Sequence, residues 1–102
     1  MNPKKLGILL SISPDDPKFG HGVRLASAAL GEKMDVFLYC IDDGVTGLKT
    51  EQLQDLKNRG LKLFGCAYSA HKRNIPLDAD AVYGGLAILS DIISGTDRFV
   101  SF

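Results

Sequence analysis

Apolar residues in this chain come in short runs, separated by polar segments that contain glycine. Residues 6–12 are almost continuously apolar, the texture of a strand covered on both faces. Ser13-Pro14-Asp15-Asp16-Pro17 breaks that run, and Asp16 is placed to cap a helix whose first position is Pro17. Phe19, Val23, Ala26 and Leu30 then recur at spacings of four, three and four, one stripe of a helix that closes near Gly31.

The same alternation continues. Residues 35–41 read as a second strand, residues 42–47 as a loop, and residues 50–58 as a helix using Leu53 and Leu56, ended by Gly60. Residues 61–65 form a third strand that stops just before Cys66. A short helix is expected over 68–73, and Ile75-Pro76 leads into a loop. Val82, Leu86, Leu89 and Ile93 predict a helix over about 80–93, stopped by Gly95, and residues 98–102 read as a terminal strand.

Strands alternating with helices imply right-handed crossovers and an α/β fold, with a mostly parallel sheet of four or five strands and helices on both faces. Four strands are legible, and a fifth has no evident position. In such sheets ligands favour the carboxyl ends of strands. Cys66 lies at one such end and Cys40 near another.

At 102 residues the chain is read as one domain, 1–102, and its 45% hydrophobic content fits a folded rather than a disordered chain. Twelve basic and twelve acidic residues balance, so net charge predicts neither nucleic acid nor an anionic membrane as a partner. No apolar stretch reaches membrane-spanning length. The start MNPKKLGILLSISPDD resembles a leader peptide but reaches Asp15-Asp16 without a cleavage segment, so a cytoplasmic protein is expected.

The two cysteines do not make a disulfide framework or a paired redox or zinc spacing. Cys40 belongs to the apolar pattern Val36, Leu38, Cys40 and reads as core, since free cysteine is often buried. A redox exchange with Cys66 would need the two strand ends to be adjacent. Cys66 itself has two readings: a packed thiol, or a nucleophile whose thiolate is favoured by the N–H groups that open the next helix. His71, Lys72 and Arg73 add positive charge within one or two turns and are assigned supporting roles. Tyr68 is near enough to shape a pocket, and Arg24 and His21 on the first helix are further candidates for the same cleft, each with a surface role as the plainer reading. Tyr39 and Tyr83 read as packing or rim groups. Asp42, Asp43, Asp78 and Asp80 are explained by loops and capping. No metal-ligand spacing, dinucleotide fingerprint, phosphate loop or serine elbow is present, and no cofactor is called for.

The segments Leu25 to Leu30, Val36-Phe37-Leu38, Asp43-Gly44-Val45, Gly65-Cys66, Arg73-Asn74-Ile75, the helix around 86–92 and the ending Asp97 to Phe102 together resemble the DsrE/DsrF-like family, with its YchN-type and TusD-type small proteins. The resemblance implies a three-layer α/β/α sandwich that assembles as a homo-oligomer, a trimer or hexamer. It also implies that the cysteine aligned with Cys66 accepts sulfur as a persulfide from a donor protein and passes it to an acceptor protein. The family more usually has glycine where this chain has Asn74, a residue that tolerates a left-handed turn. Three functions follow for test: a sulfur relay, a non-catalytic oligomeric interaction or regulatory module, and a small-ligand binding protein.

Overall fold

The computed structural model describes residues 3–102. In chain order the elements are β1 (Lys5–Leu10), α1 (Pro17–Gly31), β2 (Asp35–Cys40), a 3-10 segment (Asp42–Gly47), α2 (Glu51–Asn58), β3 (Lys62–Cys66), α3 (Ala67–Lys72), β4 (Val82–Gly84), α4 (Leu86–Gly95) and β5 (Arg98–Ser101). The five strands form one sheet in the order β4-β3-β2-β1-β5, and every pairing is parallel. This is the three-layer α/β sandwich expected from the alternation. No helix among the described residues is long and apolar enough to cross a membrane.

Local chemistry sets the helix ends. The Asp16 carboxylate accepts from the Lys18 N–H at 2.9 Å, and Pro17 opens α1 without losing a bond. Thr50 caps α2 by accepting from Leu53 N–H at 3.4 Å. α3 ends where Asn74 takes a φ of 56°, and Ile75 N–H then donates back to the Ala70 carbonyl at 2.9 Å. The left-handed turn expected of asparagine is therefore present, and it closes the helix.

Strand register sorts side chains to two faces. Val36, Leu38 and Cys40 on β2 stand level with Leu6, Ile8 and Leu10 on β1. This face is covered by α1 and α2, and all six of these residues are buried. Phe37 and Tyr39 share the opposite face with Gly7, Phe64 and Cys66. There α4 packs closely because Gly7 has no side chain: a Cβ on it would lie 2.9 Å from both Ile92 Cγ2 and Phe99 Cδ1.

The helix expected over 80–93 is a strand, a glycine pair and a shorter helix. Val82–Gly84 is the missing fifth strand, pairing Phe64 with Val82 and Cys66 with Gly84. Gly84-Gly85 breaks the helical pattern, and the apolar spacing that suggested one continuous stripe spans two elements. Its members Val82, Leu86 and Ile93 are exposed, at 58%, 64% and 50%. Ile92 is the buried anchor of α4, with Ile88 and Leu89 half-buried beside it. The 3-10 segment replaces the loop expected at 42–47.

β1 to β4 are added in one direction across the sheet, and β5 returns to the far side of β1. Right-handed crossover then sends the connection after β4 over the opposite face from those before it. The carboxyl ends of β3 and β4 are thus a point of divergence, the place where such sheets hold ligands.

Replacing Ile92 with alanine is expected to lower the unfolding free energy by about 2–4 kcal/mol in urea titration, as loss of a buried aliphatic anchor does. Unchanged stability would contradict the packing of α4 against Gly7.

Candidate functional site

β3 ends and α3 begins at one residue. Cys66 keeps extended backbone angles, φ −71° and ψ 116°, and serves as the N-cap of α3. Its sulfur takes the place usually held by a serine or aspartate oxygen, accepting from the Ser69 N–H at 3.4 Å. The residue is only 6% exposed. The sequence reading asked for a reachable sulfur, and the structure leaves it a narrow exposure.

Two hydroxyls complete the surroundings. Ser69, buried beside the sulfur, accepts through Oγ from the Asp42 N–H at 3.0 Å. Asp42 sits at a φ of 51°, which aims that N–H at Ser69. Tyr39 is fully buried on β2, and its hydroxyl lies 3.2 Å from the Gly84 carbonyl and 3.3 Å from that of Gly85. Tyr39 is on the same face as Cys66, and Gly84, whose carbonyl that hydroxyl reaches, is level with Cys66.

These groups set the charge preference of the sulfur. Desolvation pushes the Cys66 thiol up, but the bonds from Ser69, Tyr39 and the Tyr68 N–H outweigh it and hold the pKa below its ordinary value. Tyr39 moves the other way, raised by burial and by the negative charge developing on Cys66, so it stays a phenol that can donate.

Cys40 is the contrast. It is fully buried, and burial alone pushes its thiol far up. β2 and β3 are neighbours, as redox exchange between the cysteines would require. Yet Cys40 is level with Gly65, one residue before Cys66, so the two side chains leave opposite faces of the sheet. Both cysteines are free. Any chemistry at Cys66 uses one thiol of this chain.

The other sequence candidates lie around the site at different distances. Arg73 is half-buried and structural: it pairs with Asp43 at 2.9 Å and donates to the Ser69 carbonyl at 3.2 Å, tying α3 to the 3-10 segment. His71 and Lys72 are exposed in the last turn of α3, the opposite end from the sulfur. Tyr68 is 70% exposed, with Lys72 Nζ 5.7 Å from its ring. His21 and Arg24 are exposed on α1, where the Arg24 guanidinium folds back over Gly20. From the sequence Ser69 was not singled out, and Tyr39 was given only a packing or rim role. A hydroxyl three residues after the helix cap, and a tyrosine inside an apolar strand whose O–H needs a partner, were the available signals.

Asp78 accepts from Lys49 at 2.6 Å and from the Asp80 N–H at 3.1 Å, the loop role expected of it. Among the described residues no group of three or more His, Cys, Asp or Glu side chains is placed to hold a metal. An apolar groove of about 360 Å³ runs between α4 and the rings of Phe37 and Phe64, towards Lys5 and Thr96 at the amino ends of the strands. It is away from Cys66.

No protein-family model matches the sequence, and no curated protein matches it either. Among solved structures the chain is similar to the crystal structure of the ychN protein from E. coli, with a TM-score of 0.81 and 18% sequence identity, covering 99% of this chain and 100% of that one. At this identity the likeness is one of fold. The resemblance to the DsrE/DsrF-like family is thereby met at the level of architecture.

In folded protein, iodoacetamide is expected to label Cys66 well ahead of Cys40, with both labelled after unfolding. Ser69→Ala should raise the Cys66 pKa and destabilise the fold by about 1–3 kcal/mol, because the Asp42 N–H loses its partner. Equal labelling rates for the two cysteines would contradict the contrast between them.

Proposed function

We propose that this chain is a sulfur carrier that holds a persulfide on Cys66. The observation that carries the reading is the sulfur's position as a helix cap, where hydrogen-bond donors favour its anion despite burial. The Cys66 thiolate attacks the outer sulfur of a donor persulfide. A bond forms between the two sulfurs, the donor's S–S bond breaks, and the donor leaves as a thiolate with the electron pair. Cys66–S–SH then gives its outer sulfur to an acceptor thiolate by the same exchange, which restores the Cys66 thiolate. Neither step needs an external oxidant or reductant. Narrow exposure of Cys66 suits a cargo that must be kept from bulk thiols, and the absence of a partner thiol on its face prevents capture as an internal disulfide.

Incubation with a cysteine desulfurase and cysteine, followed by intact-mass analysis, tests the reading. The wild-type chain is expected to gain the mass of one sulfur atom, and Cys66→Ala is expected to gain none. A wild-type chain that takes no sulfur, or an alanine variant that takes as much, contradicts it.

A homo-oligomer, trimer or hexamer, is proposed alongside. Val82, Leu86 and Ile93 are exposed on the α4 face, and burying such side chains contributes roughly 25 cal/mol per Å² of apolar surface. Light scattering should give the mass of more than one chain, with Leu86→Glu lowering it and leaving the circular dichroism spectrum unchanged. A monomeric wild type overturns this proposal.

A further inference from the structure

Tyr39 lies one strand away from the cysteine and was read from sequence as a packing or rim group. Its side chain has no exposure, so its hydroxyl has no water to fall back on and must find protein partners. The two carbonyls it reaches, Gly84 and Gly85 at 3.2 and 3.3 Å, share one proton. Both distances exceed the roughly 2.7–2.8 Å usual for an O–H···O bond. That bond is loose, and leaving it is correspondingly cheap.

Register places the alternative partner beside it. Gly84 is level with Cys66 in the β3–β4 pairing, and Tyr39 and Cys66 stand on the same face of the sheet. The short three-residue β4 and the Gly84-Gly85 turn bring backbone carbonyls, rather than side chains, to the hydroxyl. A Cβ on Gly84 would run into the Ile88 side chain. Ile88 thus packs against the turn that holds those carbonyls.

We infer that Tyr39 is a positioning residue for Cys66 whose hydroxyl has two settings: it donates to the Gly84 and Gly85 carbonyls while the sulfur is neutral, and to the sulfur once the sulfur is anionic. The inference deepens the sulfur-carrier reading and rests on it for its biological use. The phenol supplies a donor at the moment charge appears, both when the thiol ionises and when transfer of the outer sulfur returns Cys66 to thiolate. It transfers no proton itself, and its own pKa, raised by burial and by the charge on Cys66, keeps it protonated throughout. Ser69 differs in kind: the helix cap fixes its N–H on the sulfur, and the Asp42 N–H holds its hydroxyl.

The test is the pH profile of Cys66 alkylation, followed by peptide mapping so that Cys40 does not contribute. In Tyr39→Phe the profile is expected to move to higher pH, slowing alkylation at pH 7 about five- to tenfold and leaving the high-pH plateau unchanged. A second variant, 3-fluorotyrosine at position 39, keeps the shape of the ring and makes the phenol a stronger donor. It should move the profile to lower pH, and it gives an answer even if Tyr39→Phe folds poorly. A profile that stays in place with 3-fluorotyrosine, or in a folded Tyr39→Phe, overturns the inference. Persulfide loading of the wild-type chain is read separately. A shifted profile without loading leaves Tyr39 its role and removes the carrier, whereas loading with an unmoved profile does the reverse.

Discussion

Burial on its own would keep the Cys66 sulfur neutral and inert, as it does for Cys40 on the other side of the sheet. What separates the two thiols is hydrogen bonding to the anion. Cys66 occupies the cap of a short helix, where a backbone N–H must find an acceptor, and the sulfur is that acceptor. The helix therefore needs the sulfur as much as the sulfur needs the helix. Moving the cysteine by one residue would turn it to the face of Cys40 and remove it from the cap.

The rest of the molecule holds that junction in place. Parallel pairing sets β3 between β2 and β4, bringing Tyr39 from one neighbour and the Gly84 carbonyl from the other to a single point. The 3-10 segment supplies the Asp42 N–H that fixes Ser69, and the Arg73–Asp43 pair binds α3 to that segment. A partly exposed ion pair of this kind is worth at most about 1 kcal/mol, so its use here is alignment more than stability. The site is built from five elements: β2, β3, β4, the 3-10 segment and α3.

Much of the architecture was legible in the sequence because it rests on local chemistry. Asp16-Pro17 and Gly60 mark helix ends through capping and backbone freedom, and the apolar runs at β1, β2 and β3 are unmistakable; α1 does end at Gly31, but the left-handed residue beyond it is Lys33. β4 was hidden for a physical reason. Three residues cannot show a period of two, and Val82 happens to fall in helical register with Leu86, Leu89 and Ile93. The glycine pair between them was the contrary signal. Cys66 was legible from its place after a strand. Its two hydroxyl partners depend on register between strands and on a cap distance, which no composition or periodicity reveals, and the basic run His71-Lys72-Arg73 drew attention to charges at the far end of the helix. Of the expected α4 stripe, Leu86 and Ile93 face outward and Leu89 is half-buried, since Gly7 admits Ile92 rather than Ile93 to the sheet.

The role of Cys66 turns on whether a buried sulfur with these donors is an anion at lower pH than an ordinary thiol. Ultraviolet titration of thiolate absorbance in the folded protein measures this directly, with Cys66→Ser as the reference. The account predicts a single-thiol step with its midpoint below the free-cysteine value of about 8.5, absent from the serine variant. A midpoint above that value, or no step until the protein unfolds, would contradict it.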